Sequence, residues 1–96
     1  MAYYIALIHK DADSSYGISF PDLPGVTAAA DTIDEAIKRG EEALTFAADH
    51  WADLDLGRFP DPRSIDDLRR DEEFMAESAD AVVAAIPMLN AAAVAA

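Results

Sequence analysis

YGISFPDLPGVTAAADTIDEA, residues 16–36, changes its hydrophobic period midway, and that change decides the fold. Tyr16, Ile18 and Phe20 alternate with Gly17 and Ser19, which is the two-residue period of a strand. Pro21 and Pro24 then interrupt, because each lacks a ladder donor and holds its predecessor extended. Gly25 is free to take a positive φ where the chain reverses. Residues 26–30 form a short apolar run, a third strand if the preceding turn brings them back. Thr32 followed by Glu35 makes a capping box, and the acids around it suit the positive end of a helix dipole.

Downstream, Ile33, Ala36, Ile37, Gly40, Ala43, Leu44, Ala47 and Trp51 recur at three- and four-residue intervals. They make one apolar stripe on a helix of about twenty residues, with Glu41, Glu42 and Asp49 on the wet side. Upstream, YYIALIHK at residues 3–10 is rich in strand formers, and the polar residues 11–15 favour a turn. Leu56-Gly57 and the prolines at 60 and 62 end the helical region. Ser64 caps a short helix reaching Arg70, and residues 71–78 add a further turn. Residues 81–86 are expected as a buried strand, followed by an alanine-rich tail at 88–96.

The order is therefore β-β-β-α-(α)-β. This is an α+β domain of residues 1–87, a small antiparallel or mixed sheet with one long helix packed on one face. The neighbour of the last strand is left open. In the first strand Tyr3, Ile5 and Leu7 point one way and Tyr4, Ala6 and Ile8 the other, so both faces are apolar. A single helix covers one of them. The second is either roofed by the segment after Gly57 or meets another chain.

Ninety-six residues make one small domain. With no cysteine, disulfides, thiolate zinc sites and thiol catalysis are excluded. Nineteen acids against seven bases give a net charge of −12, which disfavours a phosphate-tracking surface and favours a basic partner. Charge is absent from residues 81–96, a stretch too short to span a bilayer. With no basic leader visible before Tyr3, a cytoplasmic location is expected and no membrane is involved.

Little in the sequence points to catalysis. His9 and His50 lie on different elements and join no triad, so structural or solvent-facing roles are expected of both. Asp11 and Asp13 make a D-x-D spacing inside a turn that favours Asp on its own account. Asp22, between two prolines, is the best candidate for an exposed functional carboxylate; the alternative is that it ties the turn. No phosphate loop or zinc-protease motif is present. No catalytic residue, metal ligand or cofactor is assigned.

The run Tyr16-Gly-Ile-Ser-Phe-Pro-Asp-Leu-Pro-Gly25, six further residues and then Thr32-Ile-Asp-Glu-Ala36 resembles the HicB family of type II toxin–antitoxin antitoxins. The resemblance covers residues 3–50 well and the remainder loosely. It implies a partial RNase H-like fold without a working carboxylate set. Its implied role is neutralisation of a HicA-like toxin, a small basic mRNA-cleaving ribonuclease, by covering its RNA-binding and active surface. Gly17, Pro21, Pro24, Gly25, Thr32 and Glu35 are the residues that build the motif. Tyr16, Phe20, Asp22, Leu23 and Trp51, with the acids near Trp51, are the residues chosen for toxin contact, although Phe20 and Leu23 also suit a core. The resemblance further implies autoregulation through a C-terminal DNA-binding module. After Ile86-Pro87 this chain runs into alanines where that module normally begins, so DNA binding is expected only through a module not seen here. A homo-oligomer is also expected. The alternatives are a self-associating orphan regulator subunit and, behind it, a metal-dependent RNase H-like nuclease with three or more acids converging, Asp22 among them.

Overall fold

A computed structural model describes residues 2–10, 15–54 and 57–88. The acidic turn with its D-x-D spacing and the tail from residue 89 onward lie outside the described residues. Four strands, β1 (Tyr3–Lys10), β2 (Tyr16–Ser19), β3 (Thr27–Ala30) and β4 (Val82–Pro87), form one sheet in the order β3-β2-β1-β4. Every neighbouring pair is antiparallel. Between β3 and β4 run α1 (Ile33–His50), a 3-10 turn (Ala52–Leu54), α2 (Ile65–Leu68) and α3 (Glu72–Ser78).

The caps anticipated from sequence are formed. Thr32 Oγ1 accepts the Glu35 N–H at 3.1 Å and starts α1; Ser64 Oγ accepts the Asp67 N–H at 3.1 Å and starts α2. Along α1, Ala36, Gly40, Leu44 and Ala47 are buried against the sheet. Gly40 is required by proximity, since a Cβ there would lie 2.7 Å from Ile18 Cδ1 on β2.

Tyr4, Ala6 and Ile8 of β1 pack with Ile18, Leu44 and Ile86 under α1. On the opposite face Leu7 is fully buried against Leu68 of α2 and Phe74 of α3. The second apolar face of β1 is thus partly roofed by the segment after Gly57: Leu7 is covered and Ile5 half-buried, while Tyr3 stays 54 % exposed. Burying a leucine side chain of this kind contributes about 2 kcal/mol, which two short helices with little stability of their own need.

The last strand corrects an expectation. β4 pairs with β1 from Tyr3↔Pro87 to Ile8↔Val82, but it is a sheet edge rather than a buried strand. Ile86 alone in it is buried, while Val82 and Val83 are 48 % and 44 % exposed. A short apolar run looks the same in sequence whether it lies inside a sheet or at its margin. Met88, placed in the tail by sequence, belongs to the core: it is buried and its N–H donates to the Ala2 carbonyl at 2.8 Å.

Candidate protein-binding surface

The turn after β2 is built from two linked reversals. The Leu23 N–H donates to the Phe20 carbonyl at 3.0 Å and the Val26 N–H to the Leu23 carbonyl at 3.1 Å. Gly25 closes the second reversal at φ 90°, a conformation costly to any residue with a Cβ. This geometry turns Phe20 and Leu23 inward, and both are buried in the core under α1.

Asp22 also turns inward, so the expectation of an exposed carboxylate is corrected. Its side chain is 6 % exposed and accepts the Arg63 main-chain N–H at 2.8 Å and the Arg63 Nε–H at 2.5 Å. Arg63 Nη1 donates onward to Asp71 at 3.1 Å, and Asp71 Oδ1 caps α3 by accepting the Glu73 N–H at 2.9 Å. The hydrogen bonds to the two carboxylates hold the Arg63 guanidinium above its usual value. The bond from Arg63, with the amides of Phe74 and Glu73, holds the Asp71 carboxyl below the usual carboxylate range. Asp22 therefore ties the turn to the helices of the second face. A carboxylate so buried was drawn inward because a cation and an amide were both there to receive it.

The stapled turn separates two open concavities. One is edged by Arg63, Asp71, Glu73 and Glu77 and is charged. The other lies between the turn and the C-terminal end of α1 and is apolar, with Val26, Phe46, Ala47, Trp51 and Leu54 in its walls. Phe46 is 64 % and Leu54 61 % exposed. The Phe46 ring stacks on His50, centroids 4.1 Å apart, and His50 Nδ1 lies 2.9 Å from the Phe46 carbonyl. Trp51 meets Phe59 edge-on at 5.1 Å, and Phe59 in turn meets Tyr4 at 5.8 Å. The Trp51 Nε1–H is buried with no acceptor in reach among the described residues. Behind this aromatic row the Tyr4 hydroxyl donates to the Pro60 carbonyl at 2.7 Å. Burial, with the charges of Asp61 and Asp22 adding to it, pushes the Tyr4 hydroxyl up.

Of the residues chosen from sequence for toxin contact, Trp51 lines the apolar groove, across from the motif residues Pro24 and Gly25, whereas Phe20, Asp22 and Leu23 are turned inward and do not. Tyr16 is away from the groove: it begins β2, at the strand end opposite the turn, half-buried with Lys10 Nζ 5.6 Å from its ring centroid. Gly17 pairs with His9 and Ala29 inside the sheet. His9 Nε2 lies 2.9 Å from the Glu77 carbonyl and ties β1 to α3. Phe46 and Leu54 were missed. Their signal was available in Phe46, a large aromatic off the apolar stripe and one helical turn after Glu42, where a solvated face has no use for it.

Among the described residues, no three or more His, Asp and Glu side chains converge as metal ligands. Among the same residues, no helix is long and apolar enough to cross a membrane.

Residues 4–93 match the family described as the HicB_like antitoxin of bacterial toxin-antitoxin system. The fold is similar to that of the N-terminal domain of the Burkholderia pseudomallei antitoxin HicB, with 30 % identity and a TM-score of 0.70 over 88 % of this chain and 95 % of that one. The longer B. pseudomallei antitoxin HicB is 32 % identical with a TM-score of 0.67. There the match covers 91 % of this chain and 63 % of that one, so the chain spans less than two thirds of that antitoxin. A chain of the HicA3 and HicB3 toxin-antitoxin complex is 28 % identical with a TM-score of 0.57, over 88 % of this chain and 95 % of that one. No curated protein matches the chain in sequence.

Proposed function

The chain belongs to the HicB-like antitoxin family of bacterial toxin–antitoxin systems, and from that premise we propose that it neutralises a HicA-like toxin by binding over the toxin's RNA-binding and active surface. The observation that carries this reading is the likeness to a chain of the HicA3 and HicB3 complex. The net charge of −12 supports it, because a toxin that holds RNA must present cations, and opposite fields speed encounter and suppress wrong partners.

The mechanism is occlusion. The antitoxin occupies the path of the RNA and buries the toxin's reactive group, making and breaking no bond itself. It acts in the cytoplasm as an oligomer. Co-expression with a cognate HicA-like toxin should restore the growth that the toxin stops and yield a complex that survives gel filtration. Absence of a complex at micromolar concentration overturns the proposal.

A second reading is favoured by one specific feature. The outer edge of β4 carries Val82 and Val83 and no charge, so a second copy could extend the sheet there. Toxin binding separates the two: a self-associating orphan subunit is an oligomer that binds no HicA-like protein, and Val83→Lys, read by light scattering, makes it monomeric.

A further inference from the structure

The apolar groove beside the turn is the feature of the surface that folding leaves unexplained. We infer that this groove, with Phe46 and Leu54 at its mouth, is where the toxin docks, and that it receives an apolar side chain presented from a Lys- or Arg-rich segment. The inference rests on the antitoxin reading above and names the surface that performs it.

Three observations select this occupant. First, the groove is apolar, and the two large side chains on its rim stand mostly in solvent although α1 offers a buried stripe elsewhere. Aromatic anchors in partly formed pockets are the usual centres of protein interfaces. Second, residues 40–57 contain five acids and neither Lys nor Arg. Exposed Glu42 lies one turn before Phe46 on α1, and exposed Asp53 immediately precedes Leu54. The lining itself carries no acid and one titratable side chain, His50, while acids precede and follow it along the chain. An apolar knob on a cationic segment therefore suits both the apolar lining and its acidic surroundings. Third, a second copy of this chain fits poorly. It would bring another charge of −12, and three of its seven bases, Arg58, Arg63 and Arg70, are already held in ion pairs.

The test is calorimetric titration of the 96-residue chain with an inactive variant of a cognate HicA-like toxin. Phe46→Ala and Leu54→Ala, both at exposed positions, should each weaken binding about 30-fold or more while leaving the melting midpoint unchanged. Glu42→Lys with Asp53→Lys should slow association about 10-fold at low salt, with a smaller effect at high salt. Val83→Lys, at the opposite edge of the sheet, should leave affinity unchanged. Trp51, the single tryptophan, should change its emission when a tryptophan-free toxin binds.

Wild-type binding with unaltered affinity in the Phe46 and Leu54 variants overturns the inference and leaves the antitoxin reading standing. A loss in Val83→Lys as large as in Phe46→Ala overturns it as well. Dissociation of a wild-type dimer by Phe46→Ala with Leu54→Ala assigns the groove to a second copy and also overturns it. If the wild-type chain binds no such toxin, the antitoxin reading itself fails and the inference falls with it.

Discussion

Arg63 gives both its main-chain N–H and its Nε–H to one carboxylate, that of Asp22, 41 residues earlier in the chain, at 2.8 and 2.5 Å. Two bonds from one residue fix the distance and the orientation of the turn relative to the segment that leads into α2. A third, to Asp71, extends the same constraint to the start of α3. Asp22→Ala and Arg63→Ala should each cost about 2 kcal/mol in urea unfolding, less than a fully buried pair because Arg63 is half in solvent. The double variant should cost little more than either single one. Arg63→Lys should recover less than half, since an ammonium cannot reproduce the fork. Additive costs in the double variant would contradict the coupling.

Asp71 predicts an acid response. Its folded value lies below the ordinary 3.8, chiefly through the hydrogen bond from Arg63 and then through the Phe74 and Glu73 amides. A group depressed on folding contributes stability that is complete above its unfolded value and is lost as pH falls through the folded one. Stability referred to Asp71→Asn should therefore be greatest near neutrality and shrink below about pH 4, where the unfolded carboxyl begins to protonate. Parallel melting curves for the two proteins from neutral to strongly acidic pH would contradict this.

Tyr4 predicts the opposite limb. Its hydroxyl is raised from 10.0 by burial first and by Asp61 and Asp22 second. Stability from keeping it neutral is complete below the unfolded value and is lost as pH rises through the folded one. Tyr4→Phe should cost about 1 kcal/mol at neutral pH through the lost bond to the Pro60 carbonyl. It should also abolish a late tyrosine ionisation that accompanies alkaline unfolding, read by phenolate absorbance. Persistence of that late step in the variant would assign it elsewhere.

At Gly40 two effects oppose each other. Alanine favours the helix by about 1 kcal/mol over glycine, but its Cβ would stand 2.7 Å from Ile18 Cδ1 in a packed core. Overpacking of this kind costs about 1–3 kcal/mol, so Gly40→Ala should be destabilising on balance. Ile18→Val removes the offending methyl. Combined with it, Gly40→Ala should become stabilising, and the double variant should approach the wild type in chemical denaturation. Failure of the valine to change the sign would place the cost somewhere other than this contact.

Phe20 and Leu23 were candidates for toxin contact and lie in the core. Leu23→Ala should cost about 3 kcal/mol of stability, while the folded fraction keeps its affinity for a partner. A folded Leu23→Ala protein with lost affinity would show that the turn opens on binding.

Much of the local structure was readable in the chain. The helix begun at Ser64 nevertheless ends at Leu68 rather than Arg70, and residues 72–78 form a helix rather than a turn. The change of period at residues 16–36, the caps at Thr32 and Ser64 and the positive φ of Gly25 each depend on residues a few positions apart, and all are present in the structure. β1 was assigned with its full bounds, and its two apolar faces correctly called for two covers. The neighbour of β4, the inward turn of Asp22 and the roof over Leu7 were settled only by packing. Asp22 meets Arg63 across 41 residues and Tyr4 meets Pro60 across 56, separations at which no sequence period survives. The apolar groove has the same origin. Phe46 stands in solvent because the stripe of Ala36, Gly40, Leu44 and Ala47 fixes the rotation of α1 on the sheet, and only the assembled sheet sets that rotation.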